Sequence, residues 1–143
     1  MAQENQHMTT HTTTETVLVS LCLLGVPCRY HGMTHRMGHR IGRKALVDRL
    51  HAKCSVLPLC GEQLGGLTTP RPPCKVIGDR VVTKDETQDV TNEYQKGAEI
   101  ILEQCQRFQV KRAYLLRDSP MCGRDNGVLG QLLTTNDIRV IKV

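Results

Sequence analysis

Short runs of branched aliphatic residues, alternating with helical repeats, limit what this chain can fold into. The runs are TVLVSL from Thr16, CSVLPL from Cys54, KRAYLLRD from Lys111 and IRVIKV from Ile138. TVLVSL is apolar at both odd and even positions, the pattern of a strand covered on both faces. IGRKALVDRLHAK lies between the first two runs, with Ile41, Ala45, Leu46 and Leu50 at helical spacing and a basic outer face. NEYQKGAEIILEQCQRFQ carries a stripe of Tyr94, Ala98, Ile101, Leu102, Cys105 and Phe108, and Thr91 before it is the expected N-cap. GVLGQLLTTND forms a last short helix before the final run. Such alternation predicts a parallel sheet with crossover helices, an α/β three-layer domain over residues 16–143. The Gly- and Pro-punctuated stretch from Leu64 to Thr91 reads as loop, with a small hairpin around Gly78-Asp79.

Residues 1–15, polar and Thr-rich, read as a disordered N-terminal tail. The following apolar run has no Lys or Arg before Arg29, so it lacks the basic start of a signal peptide, and it is too short to span a bilayer. The expectation is a cytoplasmic protein with no membrane partner. One Phe, three Tyr and no Trp leave an aliphatic core and disfavour aromatic base-stacking platforms. The net charge of +5 is concentrated from Arg29 to Lys53, where seven cations face the single acid Asp48. That stretch is either a solvated helix face or a surface that draws phosphate.

Seven cysteines are many for 143 residues, and their odd number and spacing fit neither a closed disulfide framework nor a C-x-x-C zinc ribbon. Cys22, Cys60 and Cys122 each follow a predicted strand. The strand C-termini of a parallel sheet share one edge, where open α/β folds build their sites. Cys28, six residues after Cys22, is a candidate neighbour; Cys105 and Cys54 read as small buried hydrophobes, and Cys74 as a loop residue. Three thiolates are one short of a closed structural zinc or a fully ligated 4Fe-4S cluster. They suit a cluster with one open iron, or a catalytic zinc.

The strings VSLCLLGVPCRYHG, LPLCGEQLGGLTTPRPP, GDRVVTKD, DVTNEYQKGAE and RDSPMCG, in this order from Thr16 to Val143, resemble the thiouracil desulfidase (TudS) family. CGEQLGGLTTPRPP is the most specific of them. The resemblance implies a Rossmann-like fold and a 4Fe-4S cluster on Cys22, Cys60 and Cys122. It also implies removal of sulfur from thiolated pyrimidines to give the oxo base and sulfide. Partners would be a thiolated base, nucleoside or nucleotide, with thiolated RNA as a further candidate.

A soft thiocarbonyl sulfur prefers a soft iron, and a carboxylate beside it can take the proton of an attacking water. Glu62, two residues after Cys60, is the expected proton acceptor, with Ser119 as a second catalytic candidate and Arg71 and Tyr30 as substrate contacts. Each also has a plain reading as a loop hydrogen bond or surface group. The chain departs from the family pattern at His31, Gly61 and Met121, where the usual residues are Asp, Pro and Ser. It also has only Arg-Asp-Asn between Gly123 and Gly127. These departures predict a retained cluster with an altered choice of substrate. The rival readings are a relative that binds cluster or nucleotide without turnover, and a zinc hydrolase on the same cysteines. His31, His35 and His39 stand four residues apart, but Gly32 and Gly38 disfavour the helix that would align them.

Overall fold

The computed structural model of the chain describes residues 14–33, 35–36, 39–40, 43–123 and 127–143. The chain opens with β1 (Thr16–Ser20), a 3-10 turn (Leu21–Leu24), β2 (His35–Arg36), β3 (His39–Arg40) and α1 (Lys44–Lys53). Then come β4 (Ser55–Leu59), α2 (Gly61–Leu64) and the pair β5 (Cys74–Ile77) and β6 (Arg80–Thr83). The last elements are α3 (Thr91–Arg107), β7 (Arg112–Leu115), α4 (Val128–Thr135) and β8 (Arg139–Lys142).

β1, β4, β7 and β8 are the predicted strands. They form one parallel sheet in the order β4-β1-β7-β8. The sheet is the middle of three layers, because β1 alternates its side chains between two cores. Val17 and Val19 pack with Leu50 of α1, while Leu18 joins Ile101 of α3 and Leu129 of α4 on the other face. Both cores are aliphatic, as the scarcity of aromatics requires. Each fully buried Leu or Ile in them contributes about 2 kcal/mol.

The expected hairpin is β5–β6, closed by the two-residue turn Gly78–Asp79 with Gly78 at φ +62°, a conformation that glycine adopts without strain. β2 and β3 pair antiparallel, so the backbone at His35 and His39 is a short ladder and not a helix.

Three expectations need correction. Thr91 is the first residue of α3, not its N-cap; Val90 holds that position, and the Asp89 carboxylate accepts from the Thr91 N–H at 2.9 Å. Phe108 lies beyond the helix and is half exposed, so the buried stripe ends at Cys105. Glu15, assigned to the tail, is tied down: its backbone carbonyl accepts from Ser55, and its carboxylate pairs with Arg112 at 2.8 Å. Residues 1–13 of that tail, Ile41, and the Arg-Asp-Asn segment 124–126 lie outside the described residues.

Candidate metal centre

β4, β1 and β7 are neighbours, and the chain leaves their C-terminal ends through Cys60, Cys22 and the loop to Cys122. From β1 the chain passes through α1 to β4 on one side, then returns through α3 to β7 on the other. The strand order therefore reverses at β1, the place where open α/β sheets form a crevice. A cavity of about 570 Å³ opens there, within the usual range for a small-molecule site. Cys22, Cys60, Cys122, Glu62, Ser119, Arg71 and Tyr30 all line it, together with Cys28 and Cys74. Cys54 sits half-buried after α1, and Cys105 is fully buried in α3.

The thiols are packed, not exposed. The Cys28 thiol lies against those of Cys22 and Cys60; contact with Cys22, with burial, pushes it up from 9.0 to about 12 despite the opposing contact with Cys60. Contact with Cys28 and burial raise Cys60 well above the thiol range, against a bond from the Gln63 backbone N–H. Burial pushes Cys122 up to about 12, opposed by bonds from Ser20 and Ser119. Ser20 Oγ stands 3.3 Å from Cys122 Sγ and accepts the Leu116 N–H at 3.1 Å, stitching the end of β1 to the loop after β7.

Glu62 and Arg71 form a nearly buried ion pair, Arg71 Nε donating to Glu62 Oε1 at 2.7 Å. The same guanidinium donates to Thr68 O at 3.0 Å, Thr69 Oγ1 at 2.7 Å and Cys28 O at 2.9 Å. Its backbone N–H bonds Tyr30 O at 2.8 Å. Arg71 thus braces the GEQLGGLTTPRPP loop against the Cys28–Tyr30 segment. Ser119 Oγ accepts the N–H groups of Met121 and Cys122, both at 3.1 Å, which leaves its own proton to donate. Tyr30 lies beneath the Arg29 guanidinium, 5.8 Å from its ring centroid.

Among the described residues, no three His, Cys, Asp or Glu side chains converge closely enough to hold a single metal ion. A cluster places its thiolates on separate irons, and thiols at three neighbouring strand ends suit that arrangement. Cys60 and Cys122, both pushed up, must lose their protons to bind iron.

Sequence reasoning missed three residues of the site. Ser20 was signalled only as the polar residue in an otherwise apolar strand. Tyr94, read as core, lines the cavity, and Cys74 belongs to β5 on the cavity wall.

Comparison with known proteins agrees with this geometry. A sequence model of the family described as 2-thiouracil desulfurase matches residues 17–142. The uncharacterized protein YbbK of Bacillus subtilis (strain 168) is 35% identical over 117 residues, 75% of this chain and 72% of that protein. A solved structure described as a 4Fe-4S-dependent thiouracil desulfidase, TudS (DUF523Vcz), superposes with a TM-score of 0.77. It is 35% identical, with 90% of each chain covered.

Proposed function

Because this chain belongs to the 2-thiouracil desulfurase family, we propose that it is a 4Fe-4S-dependent desulfidase. It converts a thiolated pyrimidine and water to the oxo base and sulfide. The observation that carries the reading is the meeting of Cys22, Cys60 and Cys122 at three adjacent strand ends around one cavity. These three would hold the cluster, which supplies one iron without a thiolate, able to draw a thiocarbonyl sulfur and leave its carbon electrophilic. Glu62 takes the proton of the attacking water, and Arg71 holds that carboxylate in the cavity. Ser119 turns its one hydroxyl proton from the Cys122 sulfur to the base, and Tyr30 bounds the base from the side. The sequence of events is hydrolytic: carbon exchanges sulfur for oxygen and no electrons are consumed. Residues 16–143 act as one domain.

Within this chemistry, a nucleotide is favoured over a free base. Arg29, Lys84, Arg117 and Lys142 line the cavity with Lys75, which pairs with Glu86, against Asp118 and the already paired Glu62. Such an excess of cations draws phosphate. Thiolated RNA presents the same phosphate and is the second candidate. Among the described residues no helix is long and apolar enough to cross a membrane.

The test is anaerobic purification with iron and sulfide analysis of wild type, Cys22→Ala, Cys60→Ala and Cys122→Ala. Wild type should hold about four irons and four sulfides, and each substitution should deplete them. Sulfide release is then compared for thiouracil, thiouridine monophosphate and thiolated RNA, with phosphate-bearing substrates losing rate as salt rises. A protein with one zinc and no iron would sink the mechanism. Iron without turnover on any substrate would favour the cluster-binding relative.

A further inference from the structure

Tyr94, on the first turn of α3, is fully buried, and among the described residues its hydroxyl has no hydrogen-bond partner within reach. A buried hydroxyl left unpaired is costly, so native structures seldom keep one without a use. The residue borders the cavity while being wholly buried, its hydroxyl oxygen included.

The packing of α2 on α3 decides what lies above it. A side chain at Gly65 would collide with the Glu93 carbonyl, and one at Gly97 with the Gly61 carbonyl. The two helices meet backbone to backbone, which sets Glu62 of α2 close over the start of α3. The polar groups acting on the Tyr94 hydroxyl are the Glu62 carboxylate and the Cys74 thiol. Burial, then the Glu62 charge, keeps its proton in place, so toward an acceptor without a proton it is the donor. The thiol is a weak acceptor and already points to Pro72 O at 3.5 Å. The carboxylate is a strong acceptor, and Arg71 occupies only its Oε1.

We propose that Tyr94 is a positioning residue for the reaction: its hydroxyl donates to the Glu62 carboxylate, opposite Arg71, and fixes where that carboxylate stands in the cavity. The inference rests on the reading of Glu62 as proton acceptor. The bond is loose in the free protein and tightens as the site fills, as hydrogen bonds of catalytic groups often do.

The experiment is a double-mutant cycle on the full chain with Tyr94→Phe and Glu62→Gln. Gln offers one acceptor oxygen, which Arg71 takes, so Tyr94 loses its partner in that background. In otherwise wild-type protein, Tyr94→Phe should lower kcat about tenfold, with KM within about twofold and iron content unchanged. In the Glu62→Gln background it should cost nothing further, and the urea midpoints should be non-additive in the same sense. Equal losses of kcat in both backgrounds, or an unchanged kcat, would overturn the proposal. A wild type that releases no sulfide defeats the desulfidase reading. The midpoints then decide alone: coupling supports the Tyr94–Glu62 bond, and additivity refutes it.

Discussion

Cys28 is the residue that changes most between sequence and structure. Its carbonyl is gripped by Arg71, and its thiol touches Cys22 and Cys60, two of the three cysteines proposed to hold the cluster. In the cluster-free protein this packing holds the proton on Cys28, and burial holds that of Cys122, which sets a pH dependence. Cys28 and Cys122 are pushed up from 9.0 to about 12, so the native state binds their protons more tightly than the unfolded chain. Their contribution to stability is complete below about pH 9 and is lost as pH rises toward 12. Alkylation of the cluster-free protein, followed residue by residue by mass spectrometry, should be slow at pH 8 and rise about tenfold per pH unit. A plateau already at pH 9 for these two residues would contradict the packing described.

At the scale of elements, the glycine seam between α2 and α3 holds the site in register. Gly97→Ala drives a methyl group into the Gly61 carbonyl and must part the helices. The expected cost is about 3 kcal/mol in urea unfolding, accompanied by loss of iron because Cys60 and Glu62 move with α2. An alanine variant with wild-type stability and iron content would show that the helices do not meet so closely. The same seam explains a coupled departure from the family pattern. A Cβ at Gly61 would lie 2.8 Å from the Sδ of Met121, so the missing side chain at the start of α2 makes room for the long one on the loop before Cys122. Pro at the first position and Ser at the second are the residues that both positions lack here.

For the whole molecule, the four strands were legible because each is a local apolar run, and strand ends follow from parallel topology; their order β4-β1-β7-β8 came only with the structure. The cysteines at those ends could be sorted without knowing any contact. Ser20 and Tyr94 could not, and Cys28 only as a neighbour of Cys22, because their contacts lie far along the chain: Ser20 meets Cys122 at a separation of 102 residues, and Arg71 meets Cys28 at 43. The short α2 was hidden for a related reason. Its four residues carry no period, and only packing on α3 sustains it. The charge run from Arg29 to Lys53 divides between both of its readings. Arg29 lines the cavity, while Lys44 pairs with Asp48 on the exposed face of α1.

The distribution of Cys22, Cys60 and Cys122 over three neighbouring strands has a consequence for how the protein matures. No partial chain ending before β7 carries all three thiols, and none can bring them together until β1 has found both β4 and β7. With these three as the proposed ligands, iron would be captured only once that non-local pairing is complete, and would then clamp the sheet edge from β4 across to β7. Binding that favours only the folded state raises stability by mass action. The loaded protein should therefore unfold at higher urea than the cluster-free one, with loss of colour and loss of helix in a single transition. Colour fading well before the helices would mean that the edge opens by itself. If the two coincide, the brown of the protein is a visible certificate that a chain has finished folding.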